Sequence, residues 1–185
     1  EQFIPDLELC TNPNLKIDNK IEQIVKSNSG VECKELVESD RSTFIHQSTQ
    51  NLPPQEMYSL IAKIGKGKDI IELGSSNIAG LSCLARYTST VTTIHSNRKQ
   101  CATYKIWEKV FSFIAKCEDV LEADLDADYV IWWQKNQKIT NIETLKKLKE
   151  DQCAGRIRST MEAVLLFDEE DPHEMSEYKY LQTLF

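Results

Sequence analysis

Apolar positions along the chain alternate between two patterns. Short continuous apolar runs are followed by stretches whose apolar residues fall at helical spacing. The clearest run is Asp69-Ile70-Ile71-Glu72-Leu73, which reads as a strand buried on both faces. A small-residue turn, Gly74-Ser75-Ser76-Asn77, follows it. Next comes a helical pattern over 78–87 that places Leu81, Leu84 and Ala85 inward. The β-branched run at 90–94 predicts a second strand. Ser96 or Asn97 then caps a helix to about Val110, with Ala102, Ile106 and Val110 on one face. Further strands are expected at 111–115, 129–133 and 163–167. A helix capped by Asn141 runs through Leu145 and Leu148, with Lys146, Lys147 and Lys149 toward solvent, and the tail to Phe185 predicts one more short helix.

Upstream, Pro53-Pro54 opens a helix with Met57, Leu60, Ile61 and Ile64 as its apolar stripe, and Gly65-Lys66-Gly67-Lys68 closes it. Residues 1–51 carry Pro5, Pro13 and two short amphipathic pieces, and read as an N-terminal helical extension. Residues 52–185 read as the main domain. Strands alternating with helices at these spacings suit right-handed parallel crossovers. The expected fold is therefore α/β, a Rossmann-like, doubly wound, mostly parallel sheet. Such sheets bind ligands at the carboxyl ends of their strands, near the point where strand order reverses. Gly74 falls there. Glycine tolerates the backbone angles of a sharp exit, and the helix that follows points its free N–H groups over the turn.

Composition narrows the classes. The 185 residues are 41% hydrophobic, which suits one domain with a full core. No apolar run approaches the roughly 18 residues of a membrane span, so no membrane partner is expected. The net charge of −7, from 22 basic and 29 acidic residues, argues against a nucleic-acid partner. The chain begins at Glu1 and not Met, which points to a processed or trimmed chain. Cys10, Cys33, Cys83, Cys101, Cys117 and Cys153 are scattered, with no CxxC and no zinc spacing. They are expected to be reduced, small apolar residues of a cytoplasmic protein.

The pattern resembles the class I S-adenosylmethionine-dependent methyltransferases over roughly residues 52–167. Ile71-Glu72-Leu73-Gly74 is similar to that family's acidic-x-Gly entry to its first loop. The strand at 90–94 matches the one whose end meets the ribose, and Cys117-Glu118-Asp119 stands where an acidic residue meets the adenine. The resemblance implies S-adenosylmethionine as cofactor, S-adenosylhomocysteine as product, and Glu72, Gly74, Ser75, Ser76, His95, Ser96, Glu118 and Asp119 as cofactor-binding residues. Ser76 and Ile78 stand where the family often has its second and third glycines. The second strand ends Ile94-His95-Ser96-Asn97, without the usual carboxylate. A histidine or serine offers one hydrogen bond there, not a bidentate acceptor. Only 18 residues follow Phe167, so the C-terminal edge is expected to be shortened.

Other residues are weighed beside these. Trp132 and Trp133 point to opposite faces of their strand, one into the core and one available to a pocket. Asp168, Glu170, Asp171, His173 and Glu174 read as a solvated acidic loop before a metal site, so no metal is expected. No Walker loop, G-x-S-x-G or HExxH is present, and no catalytic residue is assigned. The leading expectation is methyl transfer to a small molecule or a protein side chain. The second is a non-catalytic member of the fold acting as a binding or assembly partner, in a homo- or heterodimer. A nicotinamide-dinucleotide enzyme ranks third, because Ser76 and Ala79 replace two fingerprint glycines.

Overall fold

The structure, a computed structural model, describes residue 58 and residues 61–74, 78–133, 141–166 and 172–184. The expected N-terminal extension at 1–51, Pro53-Pro54, Met57 and Leu60, Ser75 and Ser76, and the acidic run 168–171 lie outside the described residues. Five strands form one parallel sheet: β1 Asp69–Leu73, β2 Thr90–His95, β3 Ile114–Cys117, β4 Tyr129–Trp133 and β5 Glu162–Leu166. Their order is β3-β2-β1-β4-β5. Among the described residues, helical positions 58 and 61–64 precede β1, and the helices that follow are α1 Ile78–Tyr87, α2 Arg98–Phe111, α3 Asn141–Cys153 and α4 Pro172–Leu184.

Strand alternation divides the core in two. Ile70, Val91, Ala115 and Val164 face one side and pack with Leu81, Leu84 and Tyr104 from α1 and α2. Ile71, Leu73, Ile94 and Trp132 face the other and pack with Leu145 and Leu148 of α3 and Leu181 of α4. Strands buried on both faces explain the continuous apolar runs. The expected α/β, Rossmann-like sheet is thus the observed one, and all its strand pairs are parallel.

Two sequence expectations shift around α2. Its buried residues are Cys101 and Tyr104. Ala102 is exposed, and Ile106 and Val110 are 71% and 62% exposed. The helix carries two competing stripes, and the one with aromatic rings buries more area. Trp107 and Phe111, stacked at 5.6 Å, continue that stripe against the core. The helix also runs on through Phe111, ending at Ser112 in the left-handed conformation (φ 59°). The third strand therefore starts at Ile114, three residues later than its apolar run suggests, and includes Cys117.

The cysteines are a correction of a different kind. Cys101 and Cys117 form a disulfide with Cα atoms 5.6 Å apart. Cys83 and Cys153 are disulfide-bonded as well, and no described cysteine is free. The expectation of reduced cysteines failed because spacing carries no pairing information: scattered cysteines meet only once the sheet forms.

The amino ends of the strands are held by charge. Arg158 pairs with Asp126 at 3.0 Å, Asp69 at 3.1 Å and Asp128 at 3.3 Å. The Asp69 N–H donates to Asp128 Oδ2 at 2.9 Å, and the Thr90 hydroxyl donates to Asp69 Oδ1 at 2.8 Å. Asp126 and Asp69 raise the Arg158 pKa above its ordinary value, against the opposing effect of burial. The cluster ties β1, β2 and the entries to β4 and β5 together at the edge opposite the expected site.

Candidate functional site at the carboxyl edge

β1 leaves the sheet at Gly74. Its φ of 66° lies in the left-handed region, where a β-branched residue is strained. The Gly74 N–H donates to the Ile94 carbonyl at 2.9 Å, so the first residue of the turn is pinned to the end of β2. The turn lies between β2 and β4 in the strand order, where the connections change face. Beyond it, α1 starts at Ile78 with its amino end toward this edge.

Glu72 stands in register with Thr93, on the face covered by α1 and α2. It is only 4% exposed and accepts a long hydrogen bond, 3.4 Å, from the Tyr58 hydroxyl. Tyr58 can lie there because Gly80 has no side chain: a Cβ at that position would sit 2.4 Å from the ring. The buried carboxylate is therefore reached from the lead-in segment, across a glycine in α1. Sequence reasoning missed Tyr58, whose signal is the Gly80 gap in an otherwise well-formed helix.

His95 is the last residue of β2 and is also 4% exposed. Strand alternation turns it to the α2 side with Thr93. Its Nε2 and the Thr93 Oγ1 share a hydrogen bond of 2.9 Å, and its ring lies 4.3 Å from that of Tyr104. The imidazole is thus engaged beneath α2. Asn97 is engaged too, as the helix cap accepting from the Gln100 N–H at 3.1 Å. Ser96 between them is exposed.

β2 and β3 stay in register to their last residues, His95 opposite Cys117. Glu118 and Asp119 follow, both exposed. Asp119 shapes its own turn, accepting from the Leu121 N–H at 2.9 Å. Gly74, Ser96 and Glu118 thus come to one edge of three adjacent strands. Glu72 and His95 lie one layer beneath, and Ser75 and Ser76 are outside the described residues.

Trp132 is fully buried. Its indole N–H donates to Asn141 Oδ1 at 2.8 Å, and Asn141 Nδ2 donates to Glu177 Oε1 at 3.0 Å. This chain links β4, α3 and α4. His173 is exposed at the start of α4. Among the described residues no group of three His, Cys, Asp or Glu side chains is placed to hold a metal. No described helix is long and apolar enough to cross a membrane.

No family model matches the sequence, and no curated protein sequence matches it. Solved structures do. Precorrin 8W decarboxylase from Methanobacterium thermoautotrophicum is similar with a TM-score of 0.51 at 16% identity, over 76% of this chain and 74% of that one. The likeness shows the fold, an α/β Rossmann-like parallel sheet. Two further structures resemble it more distantly. A putative RNA methyltransferase from Pyrococcus horikoshii has a TM-score of 0.47 at 14% identity, over 89% of this chain and 83% of that one. The N-methyltransferase NodS from Bradyrhizobium japonicum WM9, in complex with S-adenosylhomocysteine, has a TM-score of 0.39 at 13% identity, over 74% and 68%. Likeness at such identities speaks to the fold alone, and activity must be argued from the site.

Proposed function

We propose that the chain binds S-adenosylmethionine along the edge formed by Gly74, Ser96 and Glu118, and methylates a small molecule or a protein side chain. The observation that carries the reading is the Gly74 turn, left-handed and pinned to Ile94 at the reversal of strand order. The residues suit the ligand unevenly. The amino end of α1, where the first N–H groups of a helix have no partner within it, suits the ligand's carboxylate end. The Glu118 carboxylate suits the amino group of adenine. On the ribose side, Ser96 offers a single hydrogen bond where a carboxylate would accept two.

The bound cofactor supplies an electrophilic methyl group on a sulfonium. The chain's own part is to hold and align. The Gly74 turn would hold one end of the ligand and Glu118 the other, leaving its methyl group to an acceptor bound beside them. Such transfer needs no covalent nucleophile.

One observation favours a second reading, a non-catalytic member of the fold that binds or assembles with a partner. His95, at the position of the usual ribose acceptor, is committed to Thr93 and Tyr104. Titration of the full chain with S-adenosylhomocysteine separates the two. Saturable binding supports the first, and no heat or thermal shift at millimolar ligand supports the second. Nicotinamide dinucleotide titrated in parallel tests the third-ranked alternative. The disulfides support action in an oxidising compartment, in place of the cytoplasmic setting expected from the sequence.

A further inference from the structure

The register of β2 and β3 ends at His95 and Cys117, and the next residue on each strand, Ser96 and Glu118, is exposed at the carboxyl edge. Both lie close in sequence to one covalent bond. Cys101 is fully buried in the first turn of α2, where its N–H donates to the Asn97 carbonyl at 2.9 Å. Its disulfide to Cys117 joins that turn to the last residue of β3. The bond therefore ties the helix that follows Ser96 to the residue that precedes Glu118.

β3 needs such a tie. Among the described residues it is a four-residue edge strand, paired to β2 alone. Strand ends of this kind open locally at small cost. On the far side of Glu118 the chain is fixed again, by the Asp119 turn and by Val120, which is buried in the core. Glu118 is thus held between a covalent anchor and a packed one. Those two anchors set the backbone from which the Glu118 side chain leaves the edge.

We infer that the Cys101–Cys117 disulfide is a positioning element for Glu118, and through it sets the preference of the edge for a nucleoside that carries an exocyclic amino group. The inference rests on the proposed binding of an adenosine-type ligand. A carboxylate accepts from an amino group and repels a carbonyl oxygen, so adenine is favoured over hypoxanthine when Glu118 is held in place.

The test uses the full chain and two probes, S-adenosylhomocysteine and S-inosylhomocysteine, titrated by calorimetry. The wild type is expected to prefer the adenine ligand by about tenfold or more. The pair Cys101→Ser/Cys117→Ser, still folded by circular dichroism, is expected to lose that preference to within about threefold, as Glu118→Gln does. A merely structural bond would lower stability and leave the preference intact, and that result overturns the inference. Where the serine pair does not fold, Cys101→Ala/Cys117→Ala keeps the buried position apolar and serves instead. Failure of the wild type to bind either probe sinks the binding proposal itself. Equal binding of both probes by the wild type sinks the role of Glu118.

Discussion

The Thr93 hydroxyl lies 2.9 Å from the Nε2 of His95, and this hydrogen bond is buried under α2. Together with Tyr104, whose ring is 4.3 Å away, it directs the last side chain of β2 into the core. The next residue, Ser96, is the one exposed at the carboxyl edge.

His95→Ala should accordingly act on stability. Loss of a buried ring and its aromatic contact is expected to cost about 2–4 kcal/mol in urea unfolding. Affinity of the folded variant for S-adenosylhomocysteine should stay within about twofold of wild type, as for groups with no shared partner. A tenfold loss of affinity with unchanged stability would place the imidazole in the ligand site.

Gly80→Ala tests the seat of Tyr58. The added Cβ meets three ring atoms within 2.6 Å, and a buried aromatic ring cannot swing clear without moving its neighbours. A loss of about 1–3 kcal/mol is expected from overpacking. A variant as stable as wild type, despite the better helix propensity of alanine, would show that Tyr58 does not rest on α1.

Arg158→Met probes the charged cluster at the opposite edge. Each of its pairs is partly exposed, so the whole loss is expected to be about 1 kcal/mol at neutral pH and moderate salt. Asp69 is held below the usual carboxylate range, chiefly by the Thr90 hydroxyl and then by Arg158 against burial. For Asp126, burial pushes upward but is outweighed by the Arg158 backbone and guanidinium hydrogen bonds. Carboxyls depressed in the folded state contribute stability above their unfolded value, near pH 4, and lose it as pH falls through the folded value. Wild type should therefore lose stability more steeply than Arg158→Met below about pH 4, and the two curves should converge. Parallel curves would show that Arg158 does not depress these groups.

The Cys101–Cys117 bond closes a separation of 16 residues. On the chain-entropy account, replacing both cysteines by serine should cost about 3 kcal/mol. Guanidinium unfolding of the non-reduced chains measures this, and a change under about 0.5 kcal/mol would mean that the unfolded serine variant keeps the same ends together.

Much of this fold was legible because each strand needs two apolar faces. That requirement writes a continuous run, and the bounds of β1 and β4 follow from it directly. β3 was misplaced because Phe111 serves the helix stripe while also opening an apolar run. The inward face of α2 was misread for a related reason, since Ile106 and Val110 keep helical spacing yet remain exposed. At the site, Gly74 was readable from chain chemistry, because a sharp exit from a strand favours glycine. His95 was not. Its direction depends on Thr93 and Tyr104, and that three-residue arrangement exists only after β2 and α2 have packed. The disulfide lay beyond sequence reach in the same way.

The central claim is that the edge at Gly74 binds S-adenosylmethionine-type ligands. Calorimetric titration of the full chain with S-adenosylhomocysteine tests it most directly. Saturable one-to-one binding with a dissociation constant of about 1–100 μM is predicted, abolished by Gly74→Val in a variant that still folds. Absence of heat and of thermal stabilisation at about 1 mM ligand, or unchanged affinity in Gly74→Val, would contradict it.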